Sequence, residues 1–135
     1  MNGQQGKKAA PPGQACPCGG GAFDQCCGPF IGGQAIAPTA AQLMRSRYSA
    51  YVLENDAYLR ATWHASTRPT EPMAEPGLTW LGLEVRAARE EGAQATVEFV
   101  ARCKRGGRAQ RMQETSQFVR EDGRWFYVDG RFTKD

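Results

Sequence analysis

Four of the five cysteines in this 135-residue chain fall within twelve consecutive positions, CPCGGGAFDQCC, as Cys16-x-Cys18-x7-Cys26-Cys27. Three chemistries use thiols gathered this closely: disulfide bonding, thiol–disulfide exchange and metal binding. Disulfides suit the spacing worst. C-x-C and adjacent C-C pairs rarely reach the bonding geometry without strain, and the cysteine total is odd. Exchange sites favour C-x-x-C at the start of a helix, a spacing this sequence lacks. Metal suits it best, since four thiolates surround one tetrahedral Zn²⁺ at about 2.3 Å each and close the site. The glycines Gly19, Gly20 and Gly21 let the chain turn back with positive φ and bring backbone N–H groups near the sulfurs. Four thiolates around a dication leave negative charge that needs such donors. A segment this short is below the roughly 40 residues that fold without a staple. Structural zinc, worth roughly 10–16 kcal/mol in small peptides, is expected to fold it. Replacing Cys16 or Cys27 by serine should therefore lose zinc, unfold residues 16 to about 30, and spare the sheet beyond them.

Outside this cluster the chemistry is more dispersed. Arg47 lies on an apolar helical stripe, so its guanidinium needs an anionic partner if it is buried, and Glu98 or Glu114 can supply one. The alternative is an internal ion pair with no ligand, or an Arg stem reaching the edge. His64 is the sole histidine. As a proton carrier it would need a carboxylate, with Asp129 and Glu114 available; the plainer reading is a packing or capping residue at a helix end. Tyr51, Trp63, Trp80 and Ser116 complete a set that would line a cavity between helix and sheet. Cys103 precedes Lys104 and Arg105, which favours thiolate character, although a small buried residue explains it as well. No glycine loop for phosphates and no acyl-transfer triad is present, so no catalytic residue is assigned, with His64 and Arg47 the only ones considered.

The elements that must position these residues are legible from periodicity. Thr39 is an N-cap for AAQLMRSRYSAYVLEN, whose residues Ala40, Leu43, Met44, Arg47, Tyr48 and Tyr51 share one face. Asp56 caps a second short helix, AYLRATW, with Tyr58, Leu59 and Trp63 apolar. From residue 78 the period becomes two, and LTWLGLEVRAA, ATVEFVARCK, RMQETSQFVRE and RWFYVDGRF read as strands. Arg105-Gly106-Gly107-Arg108 and Asp122-Gly123 carry hairpin-turn chemistry. Helices followed by an antiparallel meander give an α+β fold with the helices on one sheet face. Residues 1–15 are polar and read as a disordered leader; residues 16–30 form the zinc knuckle, and residues 38–135 the α+β domain. The start lacks the apolar core of a signal peptide, and no stretch approaches the roughly 20 apolar residues of a membrane helix, so a cytoplasmic chain is expected.

The segment CPCGGGAFDQCCGPF resembles the SEC-C motif, the zinc knuckle at the C-terminus of the translocase ATPase SecA. The runs PTAAQLMRSRYSAYVLENDAYLRATWHASTRP and WLGLEV…TVEFVAR…SQFVREDGRWFYVDG are similar to the bacterial YchJ family, so the resemblance spans residues 16 to about 130. One departure is a loop of seven residues between Cys18 and Cys26, where the motif has eight. The resemblance implies a cone-shaped, nuclear-transport-factor-2-like domain behind a structural zinc site with ligands Cys16, Cys18, Cys26 and Cys27. It also implies a role as an interaction or adaptor module, because the SecA knuckle contacts a chaperone, ribosomes and acidic lipid. Contact residues expected on the knuckle are Phe23, Gln25, Pro29 and Phe30, with Lys7 and Lys8 before it. Net charge is only +3. Arg102, Lys104, Arg105, Arg108 and Arg111 nevertheless crowd one hairpin tip and suggest RNA as a further partner, against a plain solvated turn. The competing function is a small-molecule or catalytic site in the cone cavity, with Arg47 gripping an anion and His64 handling protons. Oligomeric state does not follow from the sequence.

Overall fold

A computed structural model describes residues 14–73 and 77–133. The expected leader therefore lies almost wholly outside the described residues. Its last two positions do not behave as a leader: Gln14 accepts a hydrogen bond from the Phe23 N–H at 2.8 Å, and Ala15 bridges Ala22. The knuckle backbone thus begins two residues before Cys16.

After a 3-10 turn at Phe23–Gln25 and a one-turn helix α1 (Gly28–Ile31) come the main helix α2 (Ala40–Val52) and the short α3 (Asp56–Ala61). Helix α2 starts where the sequence indicates. The Thr39 side chain accepts from the Gln42 N–H and its hydroxyl donates to the Gln42 amide oxygen. The first bond is an ordinary N-cap, and the second ties the Gln42 side chain to the cap hydroxyl. Glu90, far along the chain, accepts from the Ala40 N–H at 3.1 Å and places a carboxylate at the positive helix end. Helix α3 departs from expectation in its cap. Asn55, not Asp56, accepts from the Tyr58 N–H, while Asp56 accepts from the Met73 N–H and pairs with Arg60. A buried amide serves this position without leaving a buried charge.

Four antiparallel strands follow in simple meander order: β1 (Leu78–Glu91), β2 (Gln94–Arg105), β3 (Arg108–Glu121) and β4 (Arg124–Thr133). The two hairpins read from the sequence form as expected. Gly106 and Gly107 have φ of 59° and 82°, and Asp122 and Gly123 have 54° and 78°, as a two-residue turn with two left-handed positions requires. A third hairpin, through Gly92 and Ala93, carries β1 past Ala88 to Glu91. Its charged residues, REEGAQ, disguise a strand that is exposed throughout its end. Register shifts at Trp80/Gly82, Val85/Ala87 and Gln117/Phe118 mark bulges, which bend and twist strands. The resulting sheet is curved, with α2 packed against β1, β2 and β4 and α3 packed against α2.

The core sits between the sheet and α2. Leu43, Met44 and Tyr48 pack on Ala95, Val97, Phe99, Ala101, Phe118 and Trp125. Cys16, Cys18 and Cys27 are buried in this same cluster. The knuckle is continuous with the core of the domain.

Candidate functional site

Two sites occupy two faces of helix α2. Arg45 and Ser49 meet the cysteines, while Arg47 and Tyr51, two positions on in each case, turn toward the sheet.

The four cysteine sulfurs lie within 4.8 Å of one another, with Cys18 3.5 Å from Cys26 and 3.6 Å from Cys27. Sulfurs at the corners of a tetrahedron around zinc stand about 3.8 Å apart, so the set fits one such ion with little adjustment. Each of the three glycines has a distinct reason. Gly19 and Gly21 take φ of 85° and 131°, where a side chain is strained. Gly20 leaves room: a Cβ there would stand 3.0 Å from the Cys26 sulfur and 3.4 Å from that of Cys18. The Gly20 N–H and the Arg45 guanidinium donate to the Cys18 sulfur, and Arg45 also bonds the Cys18 carbonyl at 3.2 Å. The Cys16 sulfur contacts the Ser49 hydroxyl at 3.5 Å, which ties the cluster to α2.

The electrostatics arise from this crowding. Hydrogen bonding from Cys27, helped by Cys26, Gly20 and Arg45 against burial, holds the Cys18 thiol down at about 4. Burial and the neighbouring Cys18 push Cys26 up to about 11. Cys27 is driven well above the ordinary thiol range by its bond to Cys18 and by burial. The Cys18 thiolate thus opposes ionisation of Cys26 and Cys27, an opposition that a cation bound among the sulfurs would relieve.

Phe23 and Phe30 are half-buried against the core, and the Phe23 ring covers Gly28, where a Cβ would come within 3.1 Å of it. Apolar rings beside a core gain more from burial than from exposure. What the knuckle exposes is Gly19 to Gly21, Asp24 and Gln25.

The second site is a cavity of about 250 Å³ under α2. It is lined by Arg47, Tyr51, Trp80, Glu114 and Ser116, together with Tyr48, Phe99, Cys103 and Tyr127. Trp80 meets Tyr48 edge-on at 5.5 Å and Tyr51 at 5.8 Å. Alternation along β2 puts Phe99, Ala101 and Cys103 on the inner face. Tyr127 could not be placed without the bulge at Gln117/Phe118 that sets its register.

Arg47 is buried at 5% exposure. Its Nη1 donates to the Leu59 carbonyl at 2.9 Å and the Thr62 hydroxyl at 2.6 Å. Its guanidinium stands 4.6 Å from the Tyr127 ring centre and 5.2 Å from that of Trp63. Trp63 itself supports the arginine from outside the cavity. Reciprocal backbone bonds, His64 N–H to Tyr127 and Tyr127 N–H to Thr62, fix these groups between α3 and β4. Burial lowers the Arg47 pKa, opposed by Tyr51, Tyr127, Tyr58 and Glu114. Glu114 accepts from the Ser116 hydroxyl at 3.1 Å and from Tyr127, and its pKa is raised chiefly by burial. Glu98, the other expected partner of Arg47, faces away on the outer side of the sheet, where Gln113 donates to it at 2.7 Å.

His64 is not among the residues lining the cavity. Its Nε2 meets Glu121 at 2.8 Å and its Nδ1 meets Ser66 at 2.7 Å. Neither Asp129 nor Glu114 is the carboxylate it contacts, because the backbone bond to Tyr127 turns the ring toward the β3–β4 turn. The basic residues Arg102, Lys104, Arg105, Arg108 and Arg111 are all exposed at the β2–β3 hairpin, with Arg102 directly opposite Arg111.

Residues 39–130 match the family model described as "YchJ, middle NTF2-like domain". The chain belongs to the YchJ family. A UPF0225 protein of Ralstonia nicotianae is 56% identical over 93% of this chain and 96% of its own length. Another, from Cupriavidus metallidurans, is 59% identical over 85% of this chain and 86% of its own. Two solved structures share the architecture. The solution structure of a SEC-C motif containing protein from Rhodopseudomonas palustris is 34% identical with a TM-score of 0.81, covering 90% of this chain and 100% of that one. The crystal structure of a SEC-C motif containing protein from Psychrobacter arcticus is 27% identical with a TM-score of 0.73, covering 90% and 84%. The overall architecture is therefore shared with both solved structures, each described as a SEC-C motif containing protein. Among the described residues, no helix is long and apolar enough to cross a membrane.

Proposed function

We propose that Cys16, Cys18, Cys26 and Cys27 hold one structural Zn²⁺, and that the knuckle they build is an interaction module for a protein or ribosomal partner in the cytoplasm. The observation that carries this reading is the division of the knuckle. Its sulfurs and rings face inward, and its polar turn, Gly19 to Gly21 with Asp24 and Gln25, is exposed on a rigid base. Four protein thiolates complete a tetrahedral ion and leave no position for a substrate. The metal then fixes the shape of that turn, and with it the surface offered to a partner. Native mass spectrometry should find one zinc per chain. Co-sedimentation with purified ribosomes should be lost in an Asp24→Arg/Gln25→Arg variant that retains zinc; equal sedimentation of the two proteins would remove the knuckle from the interface.

The exposed basic hairpin favours a second reading, in which RNA is held electrostatically. Affinity for a single-stranded RNA oligomer should then fall steeply with salt, and Lys104→Ala should reduce the slope by about one. A flat salt profile would sink this reading.

A further inference from the structure

We propose that the cavity under α2 binds a small planar aromatic acid, with the ligand's carboxylate on the free edge of the Arg47 guanidinium and its ring between the aromatic walls. The inference concerns a site separate from the knuckle and does not depend on the role proposed for it.

Three observations lead there. Arg47 is fixed on three sides: Nη1 is committed to Leu59 and Thr62, and one ring flank each is supplied by Trp63 and Tyr127. A guanidinium carries five N–H donors in a planar fork. Among the described residues, the hydrogen bonds of Arg47 all leave from Nη1, so the Nε–Nη2 edge remains for whatever enters the cavity it lines. That edge is the one that grips a carboxylate through two parallel bonds. Anchoring of this kind also removes the entropy cost a mobile arginine would incur on binding.

The one carboxylate lining the cavity does not take that place through a short contact with Arg47. Glu114 is engaged by the Ser116 hydroxyl and the Tyr127 phenol. Gly130, opposite Ser116 on β4, has no side chain because a Cβ there would run into the Glu114 carboxylate and stand 2.9 Å from the Tyr127 oxygen. Glu114 is thereby packed against the β4 backbone and influences Arg47 through its field.

The remaining walls decide the body of the ligand. Tyr48, Tyr51, Trp80, Phe99, Phe118 and Tyr127 present ring faces and edges from α2 and the strands, and Met44 and Met112 fill the gaps between. Aromatic walls favour a flat ligand through offset or edge-on contacts, and thioethers adapt to its outline. At about 250 Å³ the cavity falls just below the roughly 300–1,000 Å³ of drug-sized sites, which limits the ligand to one or two rings. A second negative charge near Arg47 would meet the field of Glu114, so the proposed ligand presents one carboxylate there; Arg105 and Gln110 also line the cavity.

The test is isothermal calorimetry of the full chain with 2-naphthoate and with its neutral isostere 2-naphthamide. Naphthoate should bind at least tenfold more tightly, and the ¹H–¹⁵N signal of Arg47 Nε should shift on its addition. Arg47→Met should abolish the preference. Because that change could unfold the chain, Met112→Trp serves as a second variant: it fills the cavity without touching Arg47 and should eliminate binding of both compounds. Equal affinity for acid and amide would overturn the proposal, as would no heat with either at millimolar concentration. Undiminished binding by Met112→Trp would likewise place the ligand elsewhere. Ribosome binding that fails while naphthoate binding survives would refute the knuckle's proposed role alone.

Discussion

The sulfur cluster and the cone cavity share helix α2 as a common wall, and both bury polar groups that water would otherwise satisfy. They differ in where those groups point. In the cluster, four sulfurs converge on one centre and the surrounding donors, Gly20 and Arg45, face the sulfurs. In the cavity, Arg47 spends part of its hydrogen-bonding capacity on Leu59 and Thr62 and is itself one of the lining residues. Convergence closes a site and makes it structural; partial commitment keeps a site receptive. The same helix serves both because a displacement of two residues, from Arg45 to Arg47 and from Ser49 to Tyr51, rotates a side chain by more than half a turn.

The sharpest way to break the contrast is Cys27→Ser. Sequence reasoning expects this change to unfold only the knuckle. The burial of Cys16, Cys18 and Cys27 in one cluster with Leu43, Tyr48 and Phe118 leads to a different expectation: the whole chain should melt. Structural zinc is worth roughly 10–16 kcal/mol in small peptides, against total stabilities of about 5–15. Circular dichroism of the sheet should show its signal lost together with the metal, in one transition. A sheet that survives intact would make the two sites energetically independent.

Gly130→Ala addresses the cavity in the same spirit. Its Cβ collides with Glu114, so a loss of about 3 kcal/mol is expected in urea denaturation, the upper part of the usual range for overpacking. Gly82→Ala is the control, since a Cβ there meets nothing within 4 Å, and it should stay within about 0.5 kcal/mol of the parent. Gly20→Ala should act more mildly and elsewhere. The two sulfurs must give by a few tenths of an ångström, which should weaken zinc about tenfold in a chelator competition and leave naphthoate binding unchanged.

The smallest effect concerns pH. Burial raises the Glu114 pKa above its ordinary 4.5. The folded chain therefore holds this proton more tightly than the unfolded chain in the window just above 4.5. Stability attributable to the group is present below that window and declines as pH rises through it. Glu114→Gln should flatten the decline, as read from melting temperature against pH; an unchanged slope would show that another group produces it.

How much of this is legible in the sequence depends on the range of the forces involved. Thr39 and Gln42 are three residues apart, and the turn pairs Gly106-Gly107 and Asp122-Gly123 are adjacent, so local chemistry announces them. The cysteine spacing is equally local, and it marks the four thiols as one cluster. The Asn55 cap escapes a sequence reading because Asn55 and Asp56 are chemically near-equivalent there, and only the burial of position 55 selects the neutral one. The partner of His64 escapes it because Glu121 is 57 positions away and reaches the ring through strand register. The half-burial of Phe23 and Phe30 escapes it as well, because the core they pack against is assembled from residues distant in sequence. Tyr127 reads as core or pocket lining from its strand, but its contact with Arg47, like that of Thr62, depends on the bulge and the α3–β4 bridge.

The shared core also has a cellular consequence. A module whose metal site merely hangs from a finished domain can lose its ion and wait, folded, for another. Here the ligands are part of what keeps the sheet and α2 together, so an apo chain would be open to proteases along its whole length rather than trimmed at one end. On the metal-binding role proposed above, supply of the ion would set the amount of this protein in the cell through its turnover, and starvation for it would remove the cavity together with the knuckle.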